Sequence, residues 1–170
     1  MRGMVRVSAL SEHDTDHAVR VAEIHLAAWQ SPVHLLNDLV LRFKADIDST
    51  RTSEKAIFLA HCSDDAAGYC RLVRDATDPR CWWLEGIAVK PRHQRTGVGR
   101  ALVDACVRYC GTHGGAALRS EAHLDNAGSI AFHRSVGFHD TGKYVAPDGD
   151  RKVGFTLSLA TRSAGPLGTR

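Results

Sequence analysis

A single glutamate interrupts the apolar run Cys81-Trp82-Trp83-Leu84-Glu85-Gly86-Ile87-Ala88-Val89, and a glycine turn, Gln94-Arg95-Thr96-Gly97-Val98-Gly99-Arg100, follows it closely. The two features could do different chemistry. Extended backbone alternates, so Glu85 shares one face of its strand with Trp83, Ile87 and Val89. A lone carboxylate there is costly to bury without a partner. It either pairs with one of the many arginines or takes a proton from a substrate. The turn stands between a strand-like and a helix-like stretch, where successive amides and a helix N-terminus make an anion site. Arg92, Arg95 and Arg100 add positive charge. The alternative is a tight connection whose arginines are simply solvated.

Two nucleotide motifs fail on this turn. A P-loop needs Gly-Lys-Ser/Thr, but Gly99 is followed by Arg100-Ala101, which removes both the lysine and the magnesium hydroxyl. A dinucleotide fingerprint needs a third glycine where Leu102 stands. What remains suits a diphosphate held without magnesium, as a handle and not as the reacting group.

These residues must be positioned by the surrounding elements. Val5 to Leu10 reads as a strand. Asp14-Thr15-Asp16 offers N-caps for a helix whose apolar side is Val19, Ala22, Ile24, Leu26 and Trp29. Pro32 suits the first turn of a second helix running to about Ile47. "AIFLAHC" and "GYCRLVR" form a hairpin around "SDDAA", and "CWWLEGIAV" is a third strand stopped by Pro91. A helix runs from Val98 to Cys110, then the strand "AALRSEA", a helix from Ala127 to Val136 capped by Asp125-Asn126, and the strands "KYV" and "VGFTLSL". The class is α/β (α+β), with a mixed, mostly antiparallel sheet flanked by helices.

The 170 residues are expected to form one domain over residues 1–160, with a flexible tail at 161–170. A net charge of +3, with 22 basic residues scattered among 19 acids, gives no basic stripe for nucleic acid. No apolar run suits a signal peptide or a membrane span, and five cysteines without a Cys-x-x-Cys suit free thiols in a reducing cytoplasm. Cys106, Cys110 and His113 share a helical face but lack a fourth ligand, so packing is preferred to zinc and no metal is expected.

"GIAVKPRHQRTGVGRALV" resembles motif A of the GCN5-related N-acetyltransferases, with Gln94, Gly97 and Gly99 on its core pattern. "DNAGSIAFHRSVGF" resembles the family's second signature. The order of elements is also similar, so the resemblance covers nearly the whole chain. It implies the GNAT fold with splayed central strands, and acetyl-CoA as co-substrate. The diphosphate would lie on the amides of Arg95, Thr96, Gly97, Val98, Gly99 and Arg100. The pantetheine arm would pair with Ile87 and Val89 and meet Asn126.

"WWLEGIAVKP" and "LRSEAHLDNAGSIAFHRSVGF" further resemble the aminoglycoside 6'-N-acetyltransferases. On that pattern the acceptor is a polycationic small molecule acetylated at its 6'-amine. Glu85 is the base, Glu121 holds the substrate, and the Val89 amide donates to the developing oxyanion. Asp125 and Trp83 complete the acceptor side, while Asp38, Asp46, Asp48, Asp148 and Asp150 are further acids for a cationic ligand. His133 stands where many relatives carry a tyrosine acid, so an acid role, a hydrogen bond to sulfur and simple packing stay open. The alternatives are acetylation of a protein N-terminus, a polyamine or a small metabolite, or a silent acyl-CoA-binding module. A cytoplasmic homodimer is the expected assembly.

Overall fold

The computed structural model describes residues 4–160, and the tail expected to be flexible lies outside them. Seven strands form one sheet in the order β1-β2-β3-β4-β5-β7-β6. They are β1 Val5–Leu10, β2 Lys55–Cys62, β3 Asp65–Arg74, β4 Cys81–Val89, β5 Ala117–His123, β6 His139–Val145 and β7 Arg151–Ser158. Four helices accompany them: α1 Ala18–Trp29, α2 Leu36–Asp48, α3 Val98–Thr112 and α4 Ala127–Ser135. Among the assigned registers, β4–β5 is parallel and the other pairings are antiparallel. Two compact units divide the chain. One comprises the residues up to Val73 with Glu85–Cys106, the other Arg74–Leu84 with the residues from Val107.

In the first unit β1 pairs with β2, and β2 turns through Ser63-Asp64 into β3. Apolar residues at alternate positions, Ile57 and Leu59 on β2 and Tyr69 on β3, form one face of this sheet. Ala18, Val21, Ala22 and Ile24 of α1 and Phe43 and Ile47 of α2 close over it as the core. This corrects the expected apolar side of α1, because Val19 and Trp29 are 42% and 48% exposed. The helix is apolar almost all round, so composition alone could not select its inward face. Asp14 is not its N-cap either. Its carboxylate accepts from the Ser11 amide and hydroxyl, both at 2.7 Å, and a short 3-10 turn, Thr15–His17, leads into the helix.

Gly68 lets β3 approach β4 closely. A Cβ on it would lie 2.8 Å from the Ala88 carbonyl oxygen and 3.0 Å from Val98 at the start of α3. In the second unit Trp82 is fully buried, edge-on to Tyr109 and under the Arg74 guanidinium at 4.5 Å. The Asn126 side chain caps α4 by accepting from the Ser129 amide at 2.9 Å. Strand β6 runs longer than "KYV" because its ladder with β7 extends to His139↔Thr156.

Replacing Gly68 with Ala forces a methyl group against a backbone oxygen that cannot rotate away. The expected cost is about 1–3 kcal/mol, read as a lower midpoint in urea or thermal unfolding. An unchanged midpoint would contradict the close approach.

Candidate functional site

Strand β4 ends at Val89, and the backbone passes through a 3-10 turn, Pro91–His93, before the glycine turn opens α3. Arg95 and Gly97 both adopt left-handed backbone, with φ of 61° and 100°. Glycine carries this without penalty, whereas arginine does so at a cost of about 1 kcal/mol. Side-chain bonds hold the turn in place. Gln94 Nε2 donates to the Val89 carbonyl at 3.2 Å, and the Thr96 hydroxyl donates to the His93 carbonyl at 2.7 Å.

Asp65 at the start of β3 accepts from Arg92 Nη2 at 2.6 Å, from Lys90 Nζ at 3.2 Å and from the His93 ring. The Arg92 bond first, then those of His93 and Lys90, outweigh partial burial and hold the Asp65 carboxyl far below the usual range. Arg92, expected to bring charge to the turn, is therefore tied to Asp65.

Arg95, Thr96 and Gly97 are exposed, while Val98 beneath them is buried. The Ala101 amide donates to the Gly97 carbonyl at 3.0 Å, closing the first turn of α3. The N-terminus of α3 thus follows directly on the exposed turn. The Lys90 amide donates to the Ala67 carbonyl of β3 at 2.9 Å. Strand alternation therefore turns the Val89 amide away from β3. These residues fit a diphosphate at the turn and an extended amide-bearing arm along β4.

Glu85 is 43% exposed and faces outward with Trp83, Ile87 and Val89, while Leu84 and Ala88 point into the core. Its Oε2 lies 3.3 Å from Arg71 Nη2, and the same nitrogen lies 3.3 Å from Asp46 Oδ1 on α2. Glu85 thus pairs with an arginine, as one of its two readings expected, and stays accessible to solvent. Beside this cluster the buried Tyr69 hydroxyl and His25 Nδ1 are 2.8 Å apart, and Trp29 packs against the His25 ring at 4.3 Å. Burial first, then the Arg42 and Arg71 charges, lowers the His25 pKa.

Trp83, Glu121, Asp125, Asn126 and His133 belong to the second unit. The Trp83 indole donates to Asp75 at 2.8 Å. Glu121 accepts from Lys152 Nζ at 2.5 Å and from the Tyr144 hydroxyl. Partial burial raises the Glu121 pKa, but these two bonds outweigh it and hold the carboxyl below its ordinary value. Tyr144 is pushed up to about 12 by burial and by Glu121. Asp125 is exposed beside the α4 cap, and the Asn126 carbonyl is committed to that cap.

His133 is 2% exposed, stacked on Phe155 at 4.6 Å. Its Nδ1 is 2.8 Å from the Ser129 carbonyl and its Nε2 is 2.9 Å from the Ser120 hydroxyl. Burial lowers its pKa. Of the three roles left open for this ring, packing is the one these contacts describe.

Sequence reading missed Arg71, Tyr144 and Lys152. Arg71 had a signal, since it interrupts the apolar strand "GYCRLVR" as Glu85 interrupts its own, and two such charges of opposite sign invite pairing. Tyr144 and Lys152 had none, because their approach to Glu121 depends on the β5-β7-β6 strand order. The Cys106 thiol lies 3.4 Å from that of Cys70, and His113 stacks on Tyr109 at 4.0 Å.

The family model described as "Acetyltransferase (GNAT) family" matches residues 18–138. The aminoglycoside N(6')-acetyltransferase type 1 of Stenotrophomonas maltophilia is 28% identical over 131 residues, covering 73% of this chain and 81% of that protein. The [ribosomal protein bS18]-alanine N-acetyltransferase of Escherichia coli is 40% identical over 57 residues, covering 34% of this chain and 38% of that protein. A crystal structure of the Escherichia coli ribosomal-protein-S18-alanine N-acetyltransferase superposes with a TM-score of 0.68 at 22% identity, covering 98% of this chain and 99% of that one. An N-acetyltransferase from Thermoplasma acidophilum, solved in complex with coenzyme A, superposes with a TM-score of 0.69 at 14% identity, covering 89% and 98%.

Because Glu121 contributes to the raised pKa of Tyr144, Glu121→Gln is expected to move the Tyr144 transition from about 12 part of the way toward the ordinary phenol value. Burial, the larger cause, keeps it from returning fully. Ultraviolet difference titration against the matching Tyr144→Phe variants reads this; a transition left at about 12 contradicts the pairing.

Proposed function

The chain belongs to the GNAT acetyltransferase family, and from that premise we propose that it moves an acetyl group from acetyl-CoA directly to the 6'-amine of an aminoglycoside. The observation that carries the transferase reading is the turn at Gln94–Arg100, with left-handed Arg95 and Gly97 leading into a helix N-terminus, which follows a strand with an exposed glutamate. The choice of acceptor is supported by the Stenotrophomonas maltophilia relative, which matches over most of both chains. Acidic side chains at Glu85 and Glu121 suit a ligand with several ammonium groups.

Acetyl-CoA, when bound, supplies an acyl group already activated as a thioester, so no covalent intermediate on the protein is required. The amides from Arg95 to Arg100 would hold its diphosphate, and Ile87, Val89 and the Asn126 amide group its pantetheine arm. An amine attacks only as the free base. Glu85, directly or through one water, takes the proton from the incoming ammonium. The Val89 amide, turned away from β3, donates to the acyl oxygen as it gains charge. Glu121, with Asp125 and Trp83, orients the remainder of the acceptor. His133 is left out of the proton path, since both its nitrogens are engaged inside the core.

A second reading is favoured by the 40% identity to the bS18-alanine N-acetyltransferase over 57 residues. In it the acceptor is the α-amine of a protein. Incubation with acetyl-CoA and each of kanamycin, tobramycin, spermidine and an alanine-starting peptide separates the readings by thiol release. Release with the aminoglycosides, with 6'-acetylated product, is expected. Release with the peptide alone sinks the aminoglycoside reading, and release with none sinks the enzyme.

Glu85→Gln is expected to lower kcat by about a hundredfold or more, while the KM for acetyl-CoA changes little. Equal loss in both parameters, measured by steady-state kinetics, removes Glu85 from the base role.

A further inference from the structure

Several carboxylates pair with cations among the described residues, and the cluster around Arg71 has features that a surface ion pair lacks. Arg71 Nη2 stands 3.3 Å from Glu85 Oε2 and 3.3 Å from Asp46 Oδ1, so one guanidinium nitrogen is shared by two carboxylates from different elements. The exposure is graded. Asp46 and Arg71 are 17% and 18% exposed, whereas Glu85 is 43% exposed.

Asp46 cannot meet a ligand itself. Its Oδ2 is buried without a hydrogen-bond partner, and the adjoining cavity, lined by Asp46, Lys55, Ile57 and Arg71, measures about 10 Å³. That space holds one water at most. Asp46 therefore reaches the acceptor side only through Arg71, which carries its charge balance to Glu85.

We propose that Arg71 is a specificity-determining residue, an internal cation that competes with the acceptor's ammonium groups for Glu85, and that Asp46 is a positioning residue drawing Arg71 back from it. This rests on the reading of Glu85 as the acceptor-side carboxylate. With both carboxylates ionised, the cluster carries a net charge of about −1. Removing Asp46 leaves Arg71 to neutralise Glu85 alone, and removing Arg71 leaves two uncompensated acids. Affinity for a cationic acceptor then follows the charge of the cluster, not the number of contacts removed. The Arg71→Gln cluster is the most negative, the wild type and the Asp46→Asn/Arg71→Gln double variant are equal, and Asp46→Asn is neutral.

The test is binding of tobramycin, spermidine and an alanine-starting peptide by calorimetry at low ionic strength, with KM measured for whichever of them turns over. Successive steps of the series are expected to differ by roughly three- to tenfold for the polycations, and less for the peptide. The double variant returns to within about twofold of wild type, and the KM for acetyl-CoA is unmoved. A purely structural role for the triad predicts the reverse, with the double variant worst and both substrates affected. That outcome, or binding of none of the three, overturns the proposal. Turnover of the peptide alone overturns the aminoglycoside reading instead, and the charge order is then read on the peptide.

Discussion

The ladder between β4 and β5 is parallel and three residue pairs long, from Cys81↔Ala117 to Trp83↔Arg119, and the chemistry assigned to β4 depends on how early it stops. Among the described residues the two strands have no further ladder pair, although β4 runs on to Val89 and β5 to His123. A backbone amide must find an acceptor or stay accessible to one. Beyond Trp83 the amides turned away from β3, that of Val89 among them, can therefore serve a ligand with its own acceptors. Gly68 keeps the other edge of β4 close to β3, so that edge of the strand is packed.

The turn after β4 extends this logic. Its left-handed Arg95 and Gly97 are stable because neighbouring bonds over-determine them, with Gln94 on the Val89 carbonyl and Asp65 on Arg92 and His93. Across the chain, acidic groups are compensated by nearby cations: Asp65 by Lys90 and Arg92, Glu85 by Arg71, Glu121 by Lys152. Leaving a partly desolvated carboxylate unpaired is costly. On the proposed reading, a cationic acceptor would exchange with these cations instead of filling an open acidic surface, and selectivity would follow from how firmly each is held.

Much of this was legible in the residues. Glu85 stood out because a charge breaks an apolar strand, and the turn because glycines follow that strand and precede a helix. Both signals are local, and the elements around them came out nearly to the residue. Features set by tertiary contact were not legible. The inward face of α1 is chosen by Phe43 and Ile47 of α2 and by the bond from His25 to Tyr69, not by its own nearly uniform apolar character. Glu121 looked like a free ligand for a cation because Tyr144 and Lys152 lie 23 and 31 residues further on, and only the placing of β7 between β5 and β6 brings them to it.

His133 shows why a residue type is not yet a role. The ring is buried, and burial favours its neutral form, in which one nitrogen donates and the other accepts. With Nδ1–H on the Ser129 carbonyl, Nε2 needs a donor, and Ser120 is within reach. The Ser120 hydroxyl also lies 3.1 Å from the Leu84 carbonyl and has one proton for the two acceptors. That carbonyl follows the last β4–β5 pair, and the buried Ser120 hydroxyl donates either to it or to the ring. The proton of the neutral ring lies on Nδ1, against the Ser129 carbonyl, and not in the contact with Ser120. Glu85, one residue further along β4, is accessible to solvent. Residue type marks both groups as candidates for proton transfer, and burial separates them: the imidazole is enclosed with both nitrogens in contact with polar partners, and the carboxylate is accessible.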